Sequence, residues 1–185
     1  MTSAPTLERG WTAEELDSLE DAGHYELVNG RLVERSMSFL SSEVATTFVI
    51  EMGGFVRRHG LGRNFDAELG IRIHPTDRNH TRRADAGFVA TNRVPAGDMS
   101  FLRVPPDLVV EVVSPSDILD EVFAKVAEWL AFGVRVVWVV LPTQRRVEVH
   151  RLGQPPIIFL RDQELTSEDI LPGFRVPVSS LFPLD

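Results

Sequence analysis

Apolar residues alternate or run together in short stretches along most of the chain, a pattern typical of strands separated by a few helices. Two alternating stretches, residues 25–28 and 31–34, flank Asn29-Gly30 and predict a β-hairpin, because this dipeptide readily adopts the positive φ angles of a tight turn. Helices are predicted at about residues 13–22, from Ser41 or Ser42 to His59, and at about 118–132. Strands are predicted near residues 63–68, 71–74, 85–90, 108–113, 134–140, 145–151 and 157–160.

Two of the predicted strands are apolar almost throughout, which indicates a central position in a sheet with both faces buried. They are residues 108–113 and 134–140, and the helix predicted at 118–132 joins them. This strand–helix–strand unit predicts a parallel crossover, whereas the early hairpin predicts antiparallel pairing. We therefore expect an α/β fold of the mixed α+β type, with a mixed β-sheet flanked by helices. A length of 185 residues suits one domain, residues 1–185, with one core.

The chain contains no cysteine, which excludes disulfide bonds, cysteine-based zinc sites and thiol catalysis and is compatible with a reducing cytosol. Residues 1–9 lack the basic patch and apolar run of a signal peptide. No stretch approaches the roughly 20 apolar residues that a membrane span needs. We therefore expect a cytoplasmic protein without a membrane association.

The net charge of -8 has the wrong sign for avid binding to nucleic acid, whose phosphates attract cationic proteins. A local basic face is still compatible with this total. Arg57-Arg58-His59 is one candidate stretch, and Arg82-Arg83 is the other. We expect Arg82 and Arg83 to contact nucleic acid, with the alternative that these arginines form an ordinary solvated surface.

Glu111 is the most informative residue, because it interrupts the most apolar strand of the chain. Burial of an unpaired carboxylate costs several kcal/mol, so the group should be paired, protonated or bound to a metal. Asp85 begins its own predicted strand, and two carboxylates on neighbouring strands form an oxygen-rich site of the kind that Mg²⁺ (or Mn²⁺) prefers. The alternatives are a core salt bridge for Glu111 and a turn or cap role for Asp85.

Lys125 lies on the helix that follows the Glu111 strand, at the edge of an apolar arc that includes Val122 and Trp129. A lysine on this inner face can reach the carboxylates, although a snorkelling lysine with a solvated amine is the alternative. A metal held by two carboxylates can activate water for attack on a phosphodiester, and a lysine can stabilise the transition state. Trp129 itself is expected in the core, with Trp11 and Trp138.

Several motifs together resemble a small bacterial family of restriction-endonuclease-like proteins in the PD-(D/E)XK nuclease superfamily. The stretches that resemble it are Tyr25-Glu26-Leu27-Val28-Asn29-Gly30, Arg83-Ala84-Asp85, Pro106-Asp107-Leu108-Val109-Val110-Glu111-Val112-Val113-Ser114-Pro115-Ser116, Lys125 with Gly133-Val134, Leu171-Pro172-Gly173-Phe174 and Leu181-Phe182. The resemblance covers a core of about residues 12–182 and implies a mixed sheet flanked by helices.

The resemblance also implies Mg²⁺-dependent hydrolysis of phosphodiester bonds in DNA. It implies that Asp85 and Glu111 are metal ligands and that Lys125 is the catalytic lysine. Glu26 matches a recurrent acidic position, which implies a further contact with metal or water, with an exposed hairpin residue as the alternative. The superfamily's plain pattern has its lysine two residues after the acid, where this chain has Val113, and Ala84 replaces the usual proline.

Two other classes of function remain open from the sequence. One is a non-catalytic module on a nuclease fold that binds nucleic acid or protein, and the other is a hydrolase of a different phosphodiester. We also expect a homodimer, because the predicted loop at residues 92–106 contains Met99, Phe101 and Leu102, whose apolar side chains would form an interface if exposed.

Overall fold

The computed structural model describes residues 10–74, 79–97 and 101–183. The helices are α1 (Ala13–Asp17), α2 (Phe39–His59) and α3 (Leu119–Phe132). The strands are β1 (Tyr25–Val28), β2 (Arg31–Glu34), β3 (Gly62–Asp66), β4 (Gly70–Ile71), β5 (Arg82–Arg83), β6 (Ala86–Ala90), β7 (Phe101–Leu102), β8 (Leu108–Val112), β9 (Val136–Leu141), β10 (Arg146–His150), β11 (Ile157–Phe159), β12 (Glu164–Thr166) and β13 (Arg175–Pro177).

A six-stranded mixed sheet with the order β11-β10-β9-β8-β6-β3 forms the centre of the molecule. The β8–α3–β9 unit pairs its strands in parallel, as predicted, and the other neighbours in this sheet are antiparallel. Alternate residues of β8 and β9 enter two cores, one shared with α2 and one with α3. The mixed α/β architecture predicted from the sequence is confirmed.

The predicted hairpin forms with the expected turn, in which Asn29 and Gly30 have φ angles of 51° and 78°. Helix α1 has the predicted capping box between Thr12 and Glu15 but ends at Asp17, five residues before the predicted end at Ala22. Turn residues follow the helix, and a separate 3-10 turn, Ala22–His24, leads directly into β1. The α-helix is therefore shorter than the apolar spacing indicated.

Helix α2 begins one turn earlier than predicted, because the Ser38 side chain accepts a hydrogen bond from the backbone nitrogen of Ser41. Its length and composition alone would allow it to cross a membrane, a property that the sequence reading missed. In the fold, however, Val44, Phe48 and Met52 are buried against the sheet. Helix α2 thus has the position of a core helix.

The prediction of an exposed loop at residues 92–106 is wrong for Phe101 and Leu102. Phe101 and Leu102 form β7, pair in parallel with β4, and are buried. Met99 lies outside the described residues. Phe101 and Leu102 are packed inside the protein, so they do not provide the exposed apolar surface on which the prediction of a homodimer interface rested. The short strands β12 and β13 were not predicted.

Candidate active site

Glu111 projects from β8 toward α3 and is buried. Both of its carboxylate oxygens accept hydrogen bonds from that helix. Lys125 Nζ donates to Oε2 at 2.9 Å, and the indole Nε1 of Trp129 donates to Oε1 at 2.7 Å. Burial raises the pKa of Glu111 to about 7; Lys125 opposes this rise, and the nearby carboxylates of Asp85 and Glu26 add to it. The positive charge of Lys125 is therefore not enough to offset the effects of burial and of the neighbouring carboxylates on the pKa of Glu111.

Asp85 lies directly before β6, and the register of β6 against β8 pairs Ala86 with Val110. Because antiparallel partners advance in opposite directions, this register places Asp85 opposite Glu111, with both side chains on the same face. Asp85 Oδ2 accepts a hydrogen bond from the backbone nitrogen of Val112 at 2.7 Å. Burial raises the pKa of Asp85, although Lys125 and Arg35 act in the opposite direction.

Lys125 lies among the carboxylates as the helical spacing predicted. Its Nζ is 2.9 Å from Glu111 Oε2, 2.8 Å from Glu26 Oε1 and 2.7 Å from the carbonyl oxygen of Arg83. Burial lowers the pKa of an ammonium, but Glu111, Glu26 and Asp85 together outweigh burial and raise the pKa of Lys125. Lys125 is therefore a fixed positive charge at neutral pH rather than a snorkelling lysine.

Glu26 is a buried member of this cluster, so the alternative of an exposed hairpin residue is wrong. Besides Lys125, its carboxylate accepts hydrogen bonds from Arg82 Nη1 at 2.8 Å and from the backbone nitrogen of Arg83 at 2.9 Å. Burial alone would raise the pKa of Glu26, but Lys125 and Arg82 lower it to about 2. Glu26 is thus ionised at neutral pH, and it shares the Lys125 ammonium with Glu111.

Arg82 and Arg83, which the sequence predicts to contact nucleic acid, both have hydrogen-bond partners within the protein, and Arg82 also lines the cavity described below. Arg82 pairs with Glu128 through Nε at 2.8 Å and Nη2 at 2.9 Å, and its Nη1 is bound to Glu26. Arg83 is buried, and its guanidinium donates to the backbone carbonyls of Tyr25 and Glu68. Both arginines thus supply donors to acceptors of the protein, among them the buried carboxylate of Glu26 on β1 and the carboxylate of Glu128 on α3.

A cavity of about 820 Å³ brings these groups together and is lined by Glu26, Arg35, Asp85, Glu111 and Lys125. The sequence reading missed Arg35 in this set and assigned Trp129 to the core alone. The sequence did contain a signal for Trp129, because it follows Lys125 by four positions on a helix, and this spacing places both side chains on one face. Arg35 had none, since it lies 50 residues from its partner Asp85.

The donor set of the cavity fits a hard divalent cation. Among residues 10–74, 79–97 and 101–183, no three His, Cys, Asp or Glu side chains are arranged to hold a metal. Asp85 and Glu111 nevertheless line the same cavity as neighbouring carboxylates, and Mg²⁺ commonly uses one or two carboxylates with waters as its other ligands. The raised pKa values of both carboxyl groups fit this ligand role, because a further cation would stabilise their ionised forms.

Comparison with known proteins agrees with the architecture and with the resemblance found in the sequence. The chain has the same fold as a crystal structure from Anabaena variabilis, described as "a putative nuclease belonging to DUF820", with a TM-score of 0.80 and 20% sequence identity. The alignment covers 92% of this chain and 97% of the Anabaena chain. No functionally curated protein matches the sequence.

A family model matches the chain over most of its length, from residue 13 to residue 179. The model is that of Uma2, and its description reads "Putative restriction endonuclease". The matched segment includes Glu26, Asp85, Glu111 and Lys125, and the family and fold together support a nuclease type of function. The chain therefore belongs to the Uma2 family of restriction-endonuclease-like proteins.

Proposed function

We propose that this protein is a metal-dependent endonuclease that hydrolyses phosphodiester bonds in DNA, with Mg²⁺ or Mn²⁺ as its cofactor. The observation that supports this most directly is the position of Lys125, whose ammonium bridges Glu111 and Glu26 in a cavity that Asp85 also lines. Two carboxylates and a fixed lysine charge are the groups that metal-assisted phosphodiester hydrolysis requires. The absence of cysteine fits action in a reducing cytoplasm.

In this proposal, Asp85 and Glu111 hold the metal, which supplies Lewis-acid polarisation of a phosphoryl oxygen and a lowered pKa for water. Lys125 stabilises the negative charge that develops on the phosphoryl group, because its raised pKa keeps it protonated at neutral pH. Glu26 fixes the position of Lys125 and completes the acidic side of the cavity. The backbone nitrogen of Val112 and the indole of Trp129 orient the two metal-binding carboxylates.

A cleavage assay tests this function directly. Supercoiled plasmid, linear duplex DNA and single-stranded DNA are each incubated with the protein and Mg²⁺ or Mn²⁺, with EDTA as the metal-free control. Asp85→Asn, Glu111→Gln and Lys125→Met are compared with the wild type, because these substitutions keep side-chain size while removing charge. We expect metal-dependent cleavage by the wild type and a loss of about 100-fold or more in each variant.

Glu148→Gln is the matched control. Glu148 is also a buried carboxylate on the central sheet, but it pairs with Arg146 and His150 rather than with the cavity residues. Cleavage should survive this substitution. Cleavage that also survives Lys125→Met in a folded protein would place the active site elsewhere, and absence of cleavage on all substrates would contradict the nuclease function.

Calorimetric titration with Mg²⁺ and Mn²⁺ separates the enzyme from a non-catalytic binding module. An enzyme of the proposed kind binds the cation in the wild type and loses this binding in Asp85→Asn and Glu111→Gln. A module that only binds nucleic acid or protein has no reason to take up the cation at these carboxylates.

A further inference from the structure

Three cations line the cavity among the residues that the structure describes: Arg35, Arg82 and Lys125. The hydrogen bonds of Lys125 go to three acceptors, which are Glu111, Glu26 and the carbonyl of Arg83. All three guanidinium nitrogens of Arg82 donate to Glu26 or Glu128. Each of these two side chains is therefore paired with two carboxylates of the protein itself.

Arg35 is held differently. Its Nη2 donates to Asp85 Oδ1 at 3.0 Å, and its Nη1 donates to the backbone carbonyls of Ala67 at 3.1 Å and Gly23 at 3.4 Å. Among the described residues, its Nε donates to no acceptor. Within the part of the chain that the structure describes, Arg35 pairs with a single carboxylate, Asp85, so its guanidinium is anchored in the cavity but less fully neutralised than Arg82 or Lys125.

From this geometry we propose that Arg35 binds the phosphate of the substrate and is a further catalytic residue of the site, an inference that rests on the proposed nuclease function. A guanidinium presents its N–H groups as a planar fork, which matches two phosphate oxygens better than an ammonium does. The ion pair with Asp85 holds this fork beside the carboxylates, and the carbonyls of Gly23 and Ala67 prevent it from swinging out of the cavity.

This assignment gives Lys125 and Arg35 different roles toward the substrate phosphate. Lys125 acts through its charge near Glu111 and Glu26, whereas Arg35 supplies N–H donors beside Asp85. It also explains how a chain with a net charge of -8 can hold a phosphodiester in an acidic cavity. One anchored guanidinium at the reacting phosphate compensates locally for the unfavourable overall charge.

The test compares Arg35→Gln and Arg35→Lys with the wild type by binding and by activity. Binding of short fluorescein-labelled single-stranded and duplex deoxyoligonucleotides is measured by anisotropy in Ca²⁺, over a range of salt concentrations. We expect Arg35→Gln to weaken binding about tenfold or more and to reduce the slope of log affinity against log salt by about one. The oligonucleotide affinity and salt slope of Arg35→Lys should lie between those of the wild type and Arg35→Gln. Mg²⁺ affinity measured by calorimetry should change little, since Asp85 remains.

Arg93→Gln is the matched control, because Arg93 also pairs with a buried aspartate, Asp107, at 2.6 Å, but lies outside the cavity. Unchanged oligonucleotide affinity and salt slope in Arg35→Gln would overturn the proposal. So would a loss of Mg²⁺ affinity together with unchanged oligonucleotide binding when the anisotropy titration is repeated in EDTA without Ca²⁺, because Arg35 would then act only by placing Asp85. If Arg35→Gln does not fold, Arg35→Lys decides by the same criteria.

The outcomes also separate this proposal from the nuclease function. A wild type that neither cleaves nor binds any of the oligonucleotides contradicts the nuclease function, and the role of Arg35 falls with it. A wild type that cleaves, with Arg35→Gln equally active and equally tight in binding, overturns the role of Arg35 alone.

Discussion

The indole nitrogen of Trp129 donates a 2.7 Å hydrogen bond to Glu111 Oε1, although both side chains are buried between α3 and the central sheet. This contact gives a core tryptophan a polar function. It fixes the orientation of the Glu111 carboxylate together with Lys125, which donates to the other oxygen, Oε2. The Trp129 ring therefore packs in the core and also orients Glu111, the candidate metal ligand.

Trp129→Phe removes the donor but keeps an aromatic ring in the core. We expect weaker Mg²⁺ binding and a loss of activity of about tenfold, because a buried carboxylate oxygen without its donor costs about 1–3 kcal/mol. Calorimetric titration with Mg²⁺ and cleavage kinetics measure the two effects.

Trp138→Phe is a close control for this variant. Trp138 is equally buried, on β9, but its Nε1 has no hydrogen-bond partner within the described part of the chain. The substitution removes the same atoms from the core without removing a hydrogen bond, so metal affinity should not change. Equal losses of metal affinity in both variants would show that ring volume, and not the Trp129 hydrogen bond, matters at the site.

Lys125→Met should destabilise the metal-free protein by about 3 kcal/mol, because it leaves two buried carboxylates without their shared cation. Adding Glu111→Gln to this variant should recover part of the loss, since one of the uncompensated charges is then gone. Chemical denaturation of the single and double variants measures the recovery. If the double variant is less stable than Lys125→Met, the two residues do not act as a pair.

Glu111 should make the stability of the metal-free protein depend on pH. Its pKa is about 7 in the folded protein and near the ordinary value of 4.5 in the unfolded chain. The folded state thus retains a proton that the unfolded state has released, and stability falls as the pH rises from about 4.5 to 7. Relative to Glu111→Gln, the wild type should lose roughly 3 kcal/mol over this range.

Mg²⁺ should counteract this loss, because it binds the ionised carboxylate. The measurement is a series of denaturation curves across this pH range, with and without Mg²⁺, for the wild type and Glu111→Gln. We also expect the apparent affinity for Mg²⁺ to increase as the pH rises through about 7. A wild-type curve parallel to that of Glu111→Gln at every pH would contradict the raised pKa.

Arg82→Gln distinguishes an internal ion pair from a phosphate contact. The substitution removes one ion-pair partner from buried Glu26 and one from Glu128, so we expect a loss of stability of about 3 kcal/mol. Activity should also fall, because Glu26 would hold Lys125 less firmly. The salt dependence of oligonucleotide binding should stay as in the wild type, whereas Arg35→Gln should reduce it. A reduced slope in Arg82→Gln would instead support the contact between Arg82 and nucleic acid that the sequence predicts.

Much of this site could be predicted because its signals are local. Glu111 is conspicuous in an apolar strand, and Lys125 follows on the next helix at a spacing that places it on the inner face. The Asn29-Gly30 turn likewise determines its own hairpin. In each case the deciding interaction lies within a short segment of chain, where periodicity and turn chemistry are informative.

The remaining features depend on contacts between distant segments. Arg35 meets Asp85, and Arg82 meets Glu26 across 56 residues, so charge alone could not show whether these arginines face solvent or acceptors inside the fold. Phe101 and Leu102 similarly find a partner in β4 that a loop-like sequence did not reveal. Side-chain pairing of this kind follows from tertiary register, which a single sequence does not specify.

The connection between β8 and α3 has a consequence for how this family can change. Since Glu111 is on the strand and Lys125 is on the helix, the residues between them set the angle at which the ammonium approaches the carboxylate. Inserting or deleting one residue in the first turns of α3 would rotate Lys125 by about 100° around the helix axis. The length of this segment is therefore as constrained as the identity of the residues it joins.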